Sequence, residues 1–327
     1  MKVAIGLYSE YEVWRLPEEP LQFLKAEFLG VSFVPTDSDE AFARELEDAE
    51  IALCWALTPE QFGKEKRLRW VQSTAAGVGK NLFPEMVKSD VLLTNASGVH
   101  AIPISEHVIG LMLSLSRKLH LAMRLQIERK WREESIVNIP DLPGEMFEKT
   151  IGIIGLGAIG RAVAERAKAL GMQVIGIRKN WKRSENFVDQ LLPPEQMDTL
   201  LSQSDVVVVA CPLTEETKGL IGKAQLRKMK PTAFLINIAR GKIIDEQALI
   251  RALKESWIRG AGLDVFEEEP LPEASELWGL PNVVITPHVA GATPKYWARV
   301  ANLFADNLRR FLDGQPLLNV VDKKLGY

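Results

Sequence analysis

Three short segments each place a polar side chain of a different kind after an apolar run. INIARG (Ile236–Gly241) carries Arg240, LDVFEEEP (Leu263–Pro270) carries three consecutive carboxylates, Glu267 to Glu269, and TPHVAG (Thr286–Gly291) carries His288. A guanidinium, a carboxylate and an imidazole gathered at one place suit the reduction of a carbonyl that neighbours a carboxylate. The cation would hold the anionic group, the imidazole would give its proton to the carbonyl oxygen, and the protein carboxylate would orient that donor and favour its charged form. Histidine, which titrates nearest neutrality, meets the donor requirement best. Each segment follows what reads as a strand, and doubly wound sheets bind ligands at the carboxyl ends of their strands.

A reduction needs an electron source, and the run Thr150–Arg178, TIGIIGLGAIGRAVAERAKALGMQVIGIR, names one. Ile151, Ile153 and Ile154 form a β-branched strand pattern ending at Gly155, and Ile159, Val163, Ala167 and Leu170 then recur at helical spacing. The glycines therefore sit at a strand-to-helix turn. Gly155 permits the turn, Gly157 lets backbone N–H groups approach a pyrophosphate with Ala158 and Ile159 opening the helix, and Gly160 lets that helix pack on the sheet. The end of the second strand, where NAD-binding versions carry an acidic residue for the ribose hydroxyls, holds Arg178, followed by Lys179, Lys182 and Arg183. A guanidinium there favours a 2′-phosphate. The expectation is NADP(H) as preferred cofactor, with NAD(H) as the alternative, bound by Arg178 and Lys179.

These groups need a frame. After the glycine turn, strand patterns at 205–210, 232–238, 260–265 and 283–286 alternate with helices near 223–230 and from about Glu246, which Asp245 caps. With the two strands of the glycine unit, six strands complete a parallel sheet covered on both faces. The first hundred residues form a looser alternation, with strands at 3–7, 31–34, 51–55, 70–73 and 91–94. A long helix is expected over 104–131, and a final amphipathic helix bearing Val300, Leu303, Phe304 and Leu308 returns to the first domain. The fold class is α/β: a doubly wound Rossmann domain over 100–288, inserted in a smaller flavodoxin-like domain made of 1–99 and 289–327, with hinges near 98–103 and 287–291.

Composition narrows the class. At 327 residues the chain exceeds what one core supports, and 46% hydrophobic with 25% charged residues is ordinary for a soluble globular protein. No apolar run approaches the ~18 residues of a spanning helix, and MKVAIGLYS does not read as a signal peptide, so no membrane and a cytoplasmic location are expected. Cys54 and Cys211 lie in apolar runs and read as reduced, buried thiols. His100, His107 and His120 show no metal-ligand spacing, so no metal is expected and the three read as structural. A net charge of −3, without a basic stripe, gives no field for nucleic acid.

GLGAIG, CPLTEET (Cys211–Thr217), NIARG, LDVFEEEP and PHVAG occur in an order and at separations similar to those of the D-isomer-specific 2-hydroxyacid dehydrogenases, and nearly the whole chain resembles that family. The resemblance implies that Arg240 binds the substrate carboxylate and carbonyl, that Glu269 among the three carboxylates bonds the imidazole, and that His288 is the general acid/base in contact with substrate. Asp264 would meet the nicotinamide carboxamide, and Pro212, Ile238 and Gly291 would line the cofactor. The loop Ser73–Val78 would offer backbone N–H groups of Ala76 and Gly77 to the carboxylate. Many relatives have Asp two positions after that glycine, where this chain has Gly79 and then Lys80; the departure leaves the loop's anchoring open and suggests a substrate with a second anionic group. The implied activity is NADPH-dependent reduction of glyoxylate or hydroxypyruvate to the D-2-hydroxy acid. The alternatives are an NAD-dependent 3-phosphoglycerate dehydrogenase, disfavoured because little chain follows the last helix, and a dinucleotide-sensing scaffold without turnover. A homodimer is implied through 104–131, where Leu111, Leu115, Leu119 and Met123 form an apolar stripe.

Overall fold

The computed structural model describes residues 1–63, 67–137, 142–181 and 184–326, so Lys182 and Arg183 lie outside the described residues. The chain divides into two compact units, one formed by Met1–His100 with residues 293–326 and the other by Ala101–Ala292.

In the first unit, strands β1 (Lys2–Gly6), β2 (Ser32–Pro35), β3 (Ile51–Cys54), β4 (Trp70–Ser73) and β5 (Leu92–Thr94) alternate with helices α1 (Glu18–Glu27), α2 (Asp39–Leu46), α3 (Pro59–Phe62) and α4 (Pro84–Lys88). All pairings are parallel and the order is β2-β1-β3-β4-β5, the flavodoxin-like arrangement. Every residue of β3 and β4 is buried, as strands covered on both faces must be.

The second unit holds α5 (Ala101–Ser116), α6 (Leu119–Ile127), β6 (Thr150–Ile154), α7 (Ala158–Ala169), β7 (Gln173–Ile177), β8 (Gln190–Leu192), α8 (Met197–Gln203), β9 (Val206–Val209), α9 (Lys223–Lys228), β10 (Phe234–Asn237), α10 (Glu246–Lys254), β11 (Gly260–Leu263) and β12 (Val283–Ile285). Its parallel sheet runs β12-β11-β10-β9-β6-β7-β8, the doubly wound order centred on the glycine-turn strand. The Asp245 carboxylate accepts from Ala248 N at 3.0 Å and caps α10. Helix α11 (Tyr296–Leu312) closes the chain within the first unit, burying Val300, Phe304 and Leu308, and Phe304 stacks on Trp70.

Two expectations need correction. The sheet has seven strands, because the edge strand β8 is only three residues, QLL, too short to show a period. The long helix over 104–131 is two helices: Lys118 adopts the left-handed conformation (φ 57°) and ends α5 before α6 begins. The apolar stripe divides with it. Leu111 and Leu115 are buried in the core of the second unit, whereas Leu119 and Met123 on α6 are 50% and 62% exposed.

Strand β11, GAGL, brings α5 close to the sheet. A Cβ at Gly262 would lie 3.1 Å from Leu111 Cβ, so the helix rests almost on the strand backbone. It lies against α7 and the neighbouring strands β10, β11 and β12, beside the ends that carry the polar segments.

Candidate active site

The three glycines of the turn do different work. Gly155 has φ +100°, and a Cβ there would sit 2.6 Å from Cys211 N. A Cβ at Gly160 would lie 2.1 Å from Gly155 O, so α7 begins in contact with the turn. At Gly157, the N-cap of α7, a Cβ would meet nothing within 4 Å among the described residues, and the backbone (φ −74°, ψ −163°) suits any residue. Its smallness serves no neighbour in the fold and leaves room beside a helix N-terminus, as a pyrophosphate would need. Ala158 and Ile159 open the helix, with Ile159 packed on the core. The residues present fit a dinucleotide.

Arg178 directly follows β7, as expected, but it has an acidic neighbour. Its NH1 pairs with Glu185 Oε1, which also lies 3.5 Å from Arg161 NH1, and its Nε donates to Asn180 O at 2.7 Å. Lys179 reaches Glu216 Oε2 at 2.6 Å. The cationic end of β7 is therefore balanced by Glu185, a residue the sequence reading passed over because it lies in a polar loop without periodicity.

Arg240, Glu269 and His288 follow the adjacent strands β10, β11 and β12. Glu269 Oε2 lies 2.6 Å from His288 Nδ1, and Glu269 Oε1 accepts from Phe266 N at 3.0 Å. One carboxylate thus holds both its own loop and the Nδ1 side of the imidazole. The bridge is partly open to solvent, with side-chain exposures of 49% for His288 and 34% for Glu269. Arg240 is exposed and its NH1 donates to Ala239 O at 2.6 Å. The turn carrying it is shaped by buried Asn237, which accepts from Ala239 N and donates to Arg240 O. A Cβ at Gly241 would fall 1.8 Å from Phe266 C, so the Arg240 turn lies directly on the loop that leads to Glu269.

His288 itself has φ 52°, a left-handed conformation costly for a non-glycine residue. Its N–H donates to Asp264 O and Thr286 O, at 2.9 and 3.0 Å. Asp264, read from the sequence as a cofactor contact, is 1% exposed, and both carboxylate oxygens serve this loop: Oδ1 accepts from Val289 N and Thr286 Oγ1, and Oδ2 from Ala290 N. His107 Nε2 lies 3.0 Å from Thr286 Oγ1. Asn237, Gly241, Thr286 and His107 were not read as site residues. Gly241 and Asn237 flank Arg240 and could have been found as fixed partners of its turn, but nothing local connects His107 with a residue 179 positions away. Among the other candidates, Pro212 is exposed after β9, Ile238 is buried in the core, and Gly291 lies in the His288 loop.

In the first unit, Ala76 and Gly77 are exposed in the loop after β4. Asn95 Nδ2 donates to Ala76 O at 2.9 Å, and buried Asn81 accepts from Leu57 N at 3.0 Å. Asn81, one residue beyond Lys80, ties this stretch to the connection that follows β3. Lys80 is exposed. Cys54 and Cys211 are free buried thiols, pushed up to about 12 and about 11 by desolvation. Among the described residues no cluster with metal-ligand character occurs, and no helix is long and apolar enough to cross a membrane.

The family described as D-isomer specific 2-hydroxyacid dehydrogenase, NAD binding domain, matches residues 109–290. A glyoxylate reductase of Thermococcus gammatolerans is 40% identical over 270 residues, 81% of this chain and 80% of that protein. One from Pyrococcus furiosus is 35% identical over 318 residues, 95% of this chain and 94% of the relative. The structure of an NADPH-dependent glyoxylate/hydroxypyruvate reductase from Sinorhizobium meliloti, in complex with NADP and sulfate, superposes with a TM-score of 0.82 at 29% identity, covering 100% of this chain and 99% of that one.

Proposed function

Because the chain belongs to the D-isomer specific 2-hydroxyacid dehydrogenase family of NAD(P)-dependent oxidoreductases, we propose that it reduces a small 2-oxo acid, glyoxylate or hydroxypyruvate, to the D-2-hydroxy acid, with NADPH as the preferred donor. The observation that carries this reading is the His288–Glu269 bridge at 2.6 Å on strand ends adjacent to the one that bears Arg240. The names of the relatives support the substrate class.

A dinucleotide held by its pyrophosphate at the Gly155–Gly160 turn would supply the hydride for the substrate's carbonyl carbon. The chain's own residues do the rest. Arg240 offers a guanidinium to the substrate carboxylate and carbonyl, a fork geometry that suits two oxygens. His288, with Nδ1 committed to Glu269, presents Nε2 to the carbonyl oxygen and gives it a proton as the carbonyl is reduced. Glu269 fixes the ring's orientation through its contact with Nδ1. In the first unit we assign Ala76 and Gly77 to backbone contact with the substrate carboxylate. Arg178 and Lys179 recognise the 2′-phosphate of NADPH, a preference supported by their place after β7. The exposed apolar side chains of α6 support a homodimer, and the two free thiols support a cytoplasmic setting.

The test is the initial rate of NADPH and NADH oxidation with glyoxylate, hydroxypyruvate, pyruvate and 2-oxoglutarate, with chiral analysis of the glycerate formed from hydroxypyruvate. The reading expects turnover on the first two acids and D-glycerate as product. L-glycerate, or nucleotide binding without turnover on any acid, would overturn it.

A further inference from the structure

His107 reads from the sequence as a structural residue, yet it ends a directed hydrogen-bond chain that reaches the His288 loop. Thr286 Oγ1 donates to Asp264 Oδ1 at 2.7 Å, so its lone pairs are free to accept. The partner on that side is His107 Nε2 at 3.0 Å, which must then carry the proton. The same nitrogen stands 3.8 Å from Asp264 Oδ1. Asp264 in turn accepts from Val289 N and Ala290 N, the two residues after His288. A carboxylate 1% exposed is costly unless every lone pair is well used, and here it is held by two amides, one hydroxyl and a nearby imidazole.

The loop needs such a clamp. His288 has φ 52°, and conformations of this kind persist only where the surroundings over-determine them. Released from Asp264, residues 288–290 would be free to relax toward ordinary backbone angles, and the imidazole would turn away from Glu269. Helix α5, set on the glycines of β11, is the rigid element that brings His107 to this point.

We propose that His107 is a positioning residue for the proposed reductase: through Thr286 and Asp264 it locks the left-handed turn that aims His288. The proposal rests on the catalytic reading of His288 given above, but the geometry it claims exists without turnover.

The test uses the full chain with His107→Ala, His107→Gln and Thr286→Val. The first readout, needing neither cofactor nor substrate, is hydrogen exchange of the Val289 and Ala290 amides, with β6 amides as the internal reference for global stability. His107→Ala and Thr286→Val should accelerate exchange in the loop but not in β6, and glutamine, whose amide can still donate to Thr286 Oγ1, should restore protection. The second readout is steady-state kinetics, in which the same two variants should lose kcat by roughly tenfold or more with KM for the 2-oxo acid little changed, and His107→Gln should recover most of it. Unchanged loop exchange in His107→Ala would overturn the proposal, as would equal acceleration in the loop and β6, which would make His107 a general packing residue. An equal loss in the alanine and glutamine variants would do the same. If the wild-type chain turns over no 2-oxo acid, the functional reading fails while the exchange arm still decides whether His107 holds the loop.

Discussion

At the scale of single residues, the site is a set of side chains each holding a neighbour in place. Glu269 holds His288 and the backbone of Phe266, Asn237 holds the Arg240 turn, and Asp264 holds the loop after His288. Arg178 is held by Glu185, and this pair sets a test of cofactor choice. A carboxylate beside a 2′-phosphate repels it, so Glu185→Gln should raise the NADPH-to-NADH efficiency ratio and Arg178→Asp should lower it, each by roughly tenfold, read from kcat/KM with both nucleotides. Loss of NADH use in Glu185→Gln with NADPH use unchanged would instead make Glu185 a ribose-hydroxyl acceptor. The placement of Arg178 and His288 just beyond strand ends was legible from sequence because each follows a clear strand. Glu185 and His107 were not, since their roles arise from partners brought near only by the fold.

At the scale of elements, the glycines divide into those that the fold requires and one that it does not. Gly160→Ala should push α7 off the turn and cost roughly 1–3 kcal/mol, because its Cβ would land 2.1 Å from Gly155 O. Gly157→Ala should fold with an unchanged melting temperature yet bind NADPH roughly tenfold more weakly, a loss of ~1.4 kcal/mol. Thermal melts and nucleotide titration, side by side, separate the two. The strands of both sheets apart from β8 were readable because continuous runs such as Val206–Val209 are buried on both faces, and the cap of α10 because Asp245 precedes an apolar face. The break between α5 and α6 was not, because apolar residues keep their helical spacing across Lys118 and only its φ of 57° reveals the stop.

At the scale of the molecule, the sequence made the two-part order of strands readable, and the chain leaves the first unit after β5 and re-enters it with α11. The side chains of Leu119, Met123 and Ile127 on α6 are exposed, and the proposed homodimer uses this face. Leu119→Glu combined with Met123→Glu should convert a dimer to a monomer in sedimentation, whereas a wild-type monomer would remove the assignment. In the proposed reduction the His288–Glu269 pair supplies the proton for the carbonyl oxygen. This role is tested most directly by the hydroxypyruvate turnover of His288→Ala on NADPH, measured together with its nucleotide affinity. The expected result is a kcat lower by ~10²–10⁴-fold with nucleotide affinity unchanged. A variant that kept its turnover, or lost it only by failing to bind the nucleotide, would contradict the claim.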